Sequence, residues 1–204
     1  MAVPLNRVKD LGLLFEAPPM THPHVAEACR KAAKKLSAAG IKFRPTGGTA
    51  MWLAGAGRPT KDVDLIVARR HWHKARALLQ ELATDPLGIR FGLNGEPDEG
   101  LALVGPHGVA IEVRPTGITH GTIARIRGAA RNHPAGRLKL TLAGDDRIAL
   151  LNSKLASYLS ASDRLRDAAD AQALISKWEL PLDFSKRLNP AVRSAYERIW
   201  RGQA

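Results

Sequence analysis

The stretch TGGTAMWLAGAGRPTKDVDLIVA (46–68) contains two glycines ahead of a run of helix formers and, further along, two aspartates one residue apart. The residues before it, IKFRP (41–45), predict a short strand, so the glycine pair lies between a strand and a helix. The run DVDLIVA (62–68) is rich in β-branched residues and predicts a second strand. This order of strand, turn, helix and strand predicts that the glycines and the aspartates meet at one end of a sheet.

The two aspartates are expected to lie side by side. Residues two apart in a strand point to the same face, so Asp62 and Asp64 project together while Val63 and Leu65 point into the core. Two carboxylates on one face repel each other unless a cation lies between them, and Mg²⁺ takes oxygen ligands of this kind together with substrate phosphates. The alternative is that Asp62 caps the start of the strand and Asp64 faces water, because a short DxD pattern alone is not specific.

The glycine pair favours the metal interpretation. Gly47 and Gly48 precede a helix, where backbone N–H groups and the helix dipole favour an anion and no Cβ obstructs a phosphate. Glu112, within VAIEV (109–113), is placed on a neighbouring strand to supply a third carboxylate to a two-metal site. The alternative for Glu112 is an exposed glutamate on the polar face of a hairpin.

Positive charge is concentrated in two parts of the chain. Lysines and arginines number 31 against 19 aspartates and glutamates, a net charge of +12. No acidic residue occurs from 113 to 144, a part that contains Arg114, Arg125, Arg127, Arg131, Arg137 and Lys139. The second cluster comprises Arg69, Arg70, Lys74 and Arg76, with His71 and His73 beside them. Such concentration favours nucleic acid or a phosphorylated substrate as partner over a generally basic surface.

Nothing in the sequence predicts export or membrane insertion. The apolar run LGLLF (11–15) is too short for the core of a signal peptide and is flanked by charged residues. No run approaches the roughly 18 apolar residues of a membrane span. The single cysteine, Cys29, excludes an intrachain disulfide, and neither CxxC nor a Cys/His zinc spacing is present. We therefore expect a cytoplasmic protein without a membrane partner.

The remaining patterns predict how the chain is organised. The further predicted elements are helices at 24–40 and 71–85, a hairpin at 101–115, a strand at 138–144, and helices at 145–161, 162–178 and 189–200. Strands are therefore expected in the first part of the chain and helices alone in the last part. This distribution predicts an α/β (α+β) domain over 1–143, with a mixed sheet flanked by helices, followed by a C-terminal helical domain over 144–204.

Lys154 occupies an unusual position on the first of these C-terminal helices. It lies four residues after Leu150 and four before Tyr158, on an otherwise apolar helix face. A lysine there either extends to the surface or points at an anion. We favour the anion, which would be a nucleotide phosphate or a catalytic carboxylate.

Two aspartates on the next helix are expected to face inward. Asp167 and Asp170 are three residues apart and share a face with Leu174. The alternative is that they form ordinary surface pairs, since Arg164–Asp167 and Arg166–Asp170 have the spacing to balance charge locally.

Taken together, these motifs resemble the signature of the polymerase-β-like nucleotidyltransferase superfamily, and within it the AbiE-type group that includes type IV toxin nucleotidyltransferases. That group has a GG or GS turn, a short helix, an Arg-x-Thr or Arg-x-Ser element and an Asp-x-Asp strand, and later a lysine followed by Asp-x-x-Asp on the next helix. The matching positions are Gly47-Gly48, Arg58-Pro59-Thr60, Asp62-Val63-Asp64, Lys154, Asp167 and Asp170. The resemblance covers residues 41–176.

The resemblance implies an Mg²⁺- or Mn²⁺-dependent enzyme that transfers a nucleoside monophosphate from an NTP to an acceptor. The implied catalytic residues are Asp62, Asp64 and Lys154, and the implied metal ligands are Asp62, Asp64 and Glu112. The implied nucleotide-binding residues are Gly47, Gly48, Thr49, Arg58, Thr60, Lys154, Asp167 and Asp170. A tRNA-like RNA acceptor, a toxin role and an antitoxin partner are implied as well. The alternatives are a protein acceptor, or a non-catalytic RNA- or partner-binding protein on the same fold.

Overall fold

The computed structural model describes residues 23–56, 59–92, 97–126, 133–142, 144–161 and 163–202. The chain divides into two compact units, the first ending at Gly117 and the second beginning at Ile118. Each unit is described by itself below.

The first unit is built on a five-stranded mixed sheet. Its helices are α1 (Pro23–Ala38), α2 (Gly47–Leu53) and α3 (Trp72–Gln80), and its strands are β1 (Phe43–Pro45), β2 (Asp62–Val67), β3 (Arg90–Phe91), β4 (Leu101–Val104) and β5 (Ala110–Pro115). The strand order is β1-β2-β5-β4-β3. Strands β2 and β5 are parallel, whereas the other neighbours are antiparallel. The predicted strands at the decisive stretch and the predicted hairpin are therefore present.

Helix α1 packs against the sheet because its apolar residues recur every three or four positions. Val25, Ala28, Ala32 and Leu36 are all at most 2% exposed and form one face of the helix. The helix ends before Gly40, whose φ of +70° lies in the left-handed region that glycine adopts without a Cβ penalty. Contacts of α1 with α3 and β2 complete this side of the unit.

Alternation along the central strands separates a core face from a polar face. Val63, Leu65 and Val67 of β2 are at most 1% exposed, and Ile111 and Val113 of β5 are fully buried. Burial of one such aliphatic side chain stabilises the fold by about 1.5–3 kcal/mol. Because the period of a strand is two, the residues between them are placed on the opposite face.

The second unit is helical. It comprises α4 (His120–Ile126), α5 (Asp146–Ser160), α6 (Leu165–Lys177) and α7 (Pro190–Trp200), with short 3₁₀ turns at Pro134–Arg137 and Leu182–Arg187. Asp145 caps α5 by accepting a hydrogen bond from the N–H of Arg147 at 2.8 Å, and Asn189 caps α7 by accepting one from Ala191 at 3.0 Å. A mixed sheet with flanking helices, followed in sequence by a helical unit, is the fold class that the sequence predicted.

One detail differs from the sequence prediction. The described residues of 138–144 do not form a strand, because Lys139 pairs only with Thr119, through an isolated bridge. The second compact unit includes α4 and the turn Pro134–Arg137, which both pack against α5. Leu140, within the run 138–144, is buried in the helical unit, with 6% exposure. Across the described ranges, no helix combines the length and apolar character that a membrane span requires.

Candidate active site

The two aspartates of β2 lie side by side on the polar face of the sheet. Both are half-buried, whereas Val63 and Leu65 between and beside them are buried in the core. In the parallel ladder with β5, Asp64 lies opposite Glu112 and Asp62 lies opposite Ala110. The placement predicted from the DxD spacing is therefore present in the structure.

The glycine turn holds the carboxylate of Asp64. The N–H of Gly48 in α2 donates a hydrogen bond to Oδ2 of Asp64 at 3.0 Å, and the N–H of Thr46 donates to the Asp64 carbonyl at 3.0 Å. The start of α2 is thus bound to the middle of β2 through both the main chain and the side chain of one residue. This arrangement fixes the position of the carboxylate, because a backbone donor cannot change rotamer.

The structure gives a steric reason for both glycines. Gly47 has φ +54°, and a Cβ there would lie 2.6 Å from Cγ of Asp64 and still closer to Oδ2. A Cβ on Gly48 would lie 3.0 Å from Cβ of Thr60 and closer still to its hydroxyl. The absent Cβ atoms therefore make room for the protein's own site residues. A role for Gly47 and Gly48 in binding phosphate stays a prediction.

We expect Gly47→Ala to destabilise the first unit more than Gly40→Ala does. Gly40 has φ +70° with open space around a Cβ. Its replacement by alanine therefore costs only the strain of the left-handed conformation, about 1–2 kcal/mol. Gly47 has the same kind of φ and a collision with Asp64 as well, which adds about 1–3 kcal/mol. Denaturant unfolding of the two variants measures the difference. Equal losses would show that Asp64 is free to move away from the turn.

Two buried threonines form hydrogen bonds with the aspartates of β2. The hydroxyl of Thr60 donates to Oδ1 of Asp62 at 2.7 Å. The hydroxyl of Thr49 accepts from the N–H of Asp64 at 2.9 Å and lies 3.4 Å from the carbonyl oxygen of Asp62. Thr49 is 1% and Thr60 3% exposed, so both are part of the packed structure. Arg58, the other residue of the Arg-x-Thr element, lies outside the described residues.

Glu112 lies beside the aspartate pair, on the same face of the neighbouring strand. Its register with Asp64 places it where the sequence predicted a third carboxylate. Its Oε2 accepts a hydrogen bond from the guanidinium of Arg114 at 3.3 Å. Arg114, counted above among the basic residues, is therefore a charge partner inside the site, a role that its side-chain exposure of only 12% supports. Metal binding by Glu112 stays a prediction.

In the second unit, the ammonium of Lys154 faces two carboxylates of α6. Its Nζ lies 3.2 Å from Oδ1 of Asp167 and 2.5 Å from Oδ2 of Asp170. Arg164 adds a second cation, because its Nε donates to Oδ2 of Asp167. All three members of the central triad are buried, with side-chain exposures of 8%, 6% and 10%. The charge of Lys154 is therefore met by carboxylates within its own unit, and Asp167 and Asp170 face inward as predicted.

His120 is a buried polar residue that the sequence did not single out. It begins α4, is 5% exposed, and its Nδ1 lies 3.4 Å from the hydroxyl of Ser157 on α5. Burial lowers its pKa to about 4, against a smaller opposing effect of Asp167. The imidazole is therefore neutral at pH 7. A histidine within a basic run carries no periodic signal, so the sequence could not have distinguished it from its charged neighbours.

The basic residues near α3 are mostly exposed. Arg69, Arg70, His73 and Lys74 are exposed, and the Nε of Arg69 donates to the carbonyl of Thr116 at 2.8 Å. In the later basic run, Arg137 and Lys139 are exposed. Arg127 and Arg131 lie outside the described residues, and the side chain of Arg125 is likewise not described.

Comparison with known proteins finds likeness among solved structures. No family model matches the chain, and no curated protein matches it. Among solved structures, the chain is similar to a Thermotoga maritima CCA-adding enzyme complexed with tRNA, at 15% sequence identity and a TM-score of 0.45. The likeness covers 97% of this chain and 51% of that one, so the chain spans about half the length of the solved structure.

Proposed function

We propose that this protein is a nucleotidyltransferase that moves a nucleoside monophosphate from an NTP to an acceptor hydroxyl. The observation that carries the proposal is the pair of half-buried carboxylates on one face of β2, each held by a donor from a neighbouring segment. Two carboxylates side by side on one face of a strand repel each other, so their adjacency by itself destabilises the fold. A cationic ligand gives the arrangement a physical purpose.

The donor set fits a hard divalent cation. Asp62 and Asp64 offer carboxylate oxygens on one face, and Mg²⁺ and Mn²⁺ prefer oxygen ligands with one or two carboxylates and substrate phosphates completing the shell. Glu112 is the nearest further carboxylate on the neighbouring strand, with Arg114 balancing its charge. Bound Mg²⁺ would neutralise charge on the phosphates and lower the pKa of the acceptor hydroxyl.

The transfer itself requires an in-line arrangement of three groups. The acceptor oxygen forms a bond to the α-phosphorus, the bond from that phosphorus to the bridging oxygen breaks, and pyrophosphate leaves with the electron pair. The hydroxyl proton is released to water. In this proposal the chain's own part is positioning: the N–H of Gly48 and the hydroxyl of Thr60 hold the two carboxylates, and Gly47, Thr49 and Arg58 adjoin the triphosphate.

In this proposal, the role of Lys154, Asp167 and Asp170 is to hold helices α5 and α6 in position. Their mutual ion pairs tie α5 to α6 in the helical unit, and they match the second half of the family motif. Contact of Lys154 with the nucleotide would require its ammonium to exchange one of these carboxylates for a phosphate oxygen. A triphosphate carries enough negative charge to compete for that position.

RNA is the acceptor that the charge distribution favours. The exposed cations Arg69, Arg70 and Lys74 lie close together in sequence in the first unit, and exposed Arg137 and Lys139 lie in the second. Lysine and arginine clusters of this kind bind phosphate backbones independently of base sequence. The family resemblance further suggests a tRNA-like acceptor and a toxin role with an antitoxin partner.

The test is incubation of the purified protein with each α-labelled NTP, Mg²⁺ and total RNA. Label should appear in RNA with one or more of the NTPs and should require Mg²⁺. Label on protein alone would assign a protein acceptor. Absence of label with all four NTPs and both acceptor classes, in a protein that still binds RNA, would favour the non-catalytic alternative. The same reaction with Asp62→Asn is the matched control.

A further inference from the structure

A second group of ligand-type side chains lies on α1 and on the turn between β4 and β5. His24 and Glu27 are one helical turn apart on α1, and His107 lies in the 3₁₀ turn Pro106–Gly108, against which α1 packs. One ligand atom from each of the three lies within 4.8 Å of the other two. Among the described residues, this is the group of three metal-ligating side chains that the fold brings together in this way.

The separation of His107 and Glu27 is close to that of two ligands of one ion. Nε2 of His107 lies 2.9 Å from Oε2 of Glu27, and the rings of His24 and His107 stack with their centroids 4.3 Å apart. Bonds of about 2.0–2.1 Å in a tetrahedral zinc site separate neighbouring ligand atoms by roughly 3.3 Å. A shift of a few tenths of an ångström therefore converts the observed contact of His107 with Glu27 into a coordinating pair. The exposed ring of His24 has to turn out of the stack to join them, because a metal ion lies in the plane of each imidazole that binds it.

The backbone at His107 provides an independent observation. Its φ of 59° and ψ of 25° lie in the left-handed region, which a residue with a Cβ adopts rarely and at a cost in energy. This conformation carries the imidazole from the turn onto His24 and Glu27 of α1. A residue kept in such a conformation at a cluster of ligand-type groups points to a function for the cluster.

The chemistry of the three groups selects the ion. Two imidazole nitrogens and one carboxylate oxygen suit Zn²⁺ and similar transition metals, whereas Mg²⁺ is bound through oxygen ligands. Glu27 offers a single oxygen, because its Oε1 is engaged by Lys31 at 2.7 Å. Three protein ligands at a surface leave a coordination position for water.

We propose that His24, Glu27 and His107 form a binding site for a zinc-class divalent cation. Two imidazole nitrogens and one carboxylate oxygen hold the ion, which links α1 to the β4–β5 turn and stabilises the first unit. His107 lies 80 positions after Glu27, so a search for short Cys/His spacings does not detect the site. The proposal is independent of nucleotidyl transfer.

Calorimetric titration of Zn²⁺ into untagged, metal-stripped protein tests the site. Saturating Mg²⁺ is included to occupy the carboxylates of Asp62 and Asp64. We expect one Zn²⁺ per chain bound at this site and a rise in melting temperature. His24→Gln and His107→Asn should each weaken the binding at least about tenfold, since loss of a ligand costs no less than loss of the groups that orient one. Asparagine tolerates the left-handed conformation, so the turn is retained.

The matched control is His73→Ala, which removes an exposed histidine of α3 and should leave zinc affinity unchanged. Glu27→Gln provides a ligand variant that leaves both rings in place, and circular dichroism of each variant without metal checks its folding. Loss of zinc binding in the ligand variants, with retention in His73→Ala, supports the site. Unchanged affinity in the ligand variants, or no zinc binding by the wild-type protein, would overturn it.

Discussion

Replacement of Asp64 by asparagine should reduce the rate of nucleotidyl transfer by at least about a hundredfold without destabilising the protein. An asparagine oxygen can still accept the hydrogen bond from the N–H of Gly48, so the turn at the start of α2 remains closed. The charge is lost, and with it several kcal/mol of stabilisation of the metal and the transferring phosphate. Removal of one of two adjacent like charges should leave the unfolding free energy unchanged or raised.

Asp85→Asn is the matched control for this variant. Asp85 is an exposed aspartate whose side chain also accepts a backbone hydrogen bond, from Leu87 at 2.9 Å, but it stands outside the site. Its replacement should leave transfer within about twofold of wild type. Transfer rates are to be measured at several Mg²⁺ concentrations. Wild-type transfer rates in Asp64→Asn would show that the aspartate pair takes no part in the chemistry.

Replacement of Lys154 by methionine should lower the free energy of unfolding by about 3–5 kcal/mol. Methionine suits the apolar surroundings of the lysine stem, yet it leaves Asp167 and Asp170 buried without their shared cation. Arg164 continues to pair with Asp167, so the loss of the lysine charge affects the carboxylate of Asp170 most. Thermal or denaturant unfolding of the variant measures the effect.

Two further variants separate the buried ion pairs from a general effect of losing a lysine. Lys177→Met removes an exposed lysine at the end of α6 and should change stability by no more than about 0.5 kcal/mol. A triple replacement with Lys154→Met, Asp167→Leu and Asp170→Leu removes all three charges and should recover most of the loss. Stability near wild type in Lys154→Met, together with loss of transfer, would instead assign the lysine chiefly to the nucleotide.

Local sequence patterns predicted much of the candidate site. The two-residue period of a strand predicted that Asp62 and Asp64 share one face. The spacing of apolar residues on two helices predicted that Lys154 and Asp170 face inward. These predictions succeed because each depends on geometry that repeats within a single element. The predicted strand at 138–144 failed for the complementary reason: alternating residues form a strand only where another strand is available to pair along their length.

The partners of the site residues depend on tertiary structure. The sequence assigned Gly47 and Gly48 to a phosphate, and the fold brings Asp64 and Thr60 against them. It counted Arg114 with the basic run, and the parallel pairing of β2 and β5 brings it to the aspartate site, beside Glu112.

By itself, the sequence determined which residues carry the charges and on which face of each strand or helix they lie, because φ/ψ preferences and side-chain periodicity act over a few neighbouring positions. Tertiary structure decided which of the charges on different helices meet. Lys154 reaches Asp167 and Asp170 only because α5 packs on α6, and His107 reaches Glu27 only because α1 packs against the turn after β4. Contacts between residues distant in the chain follow from the burial of apolar faces, which local sequence patterns do not encode pair by pair.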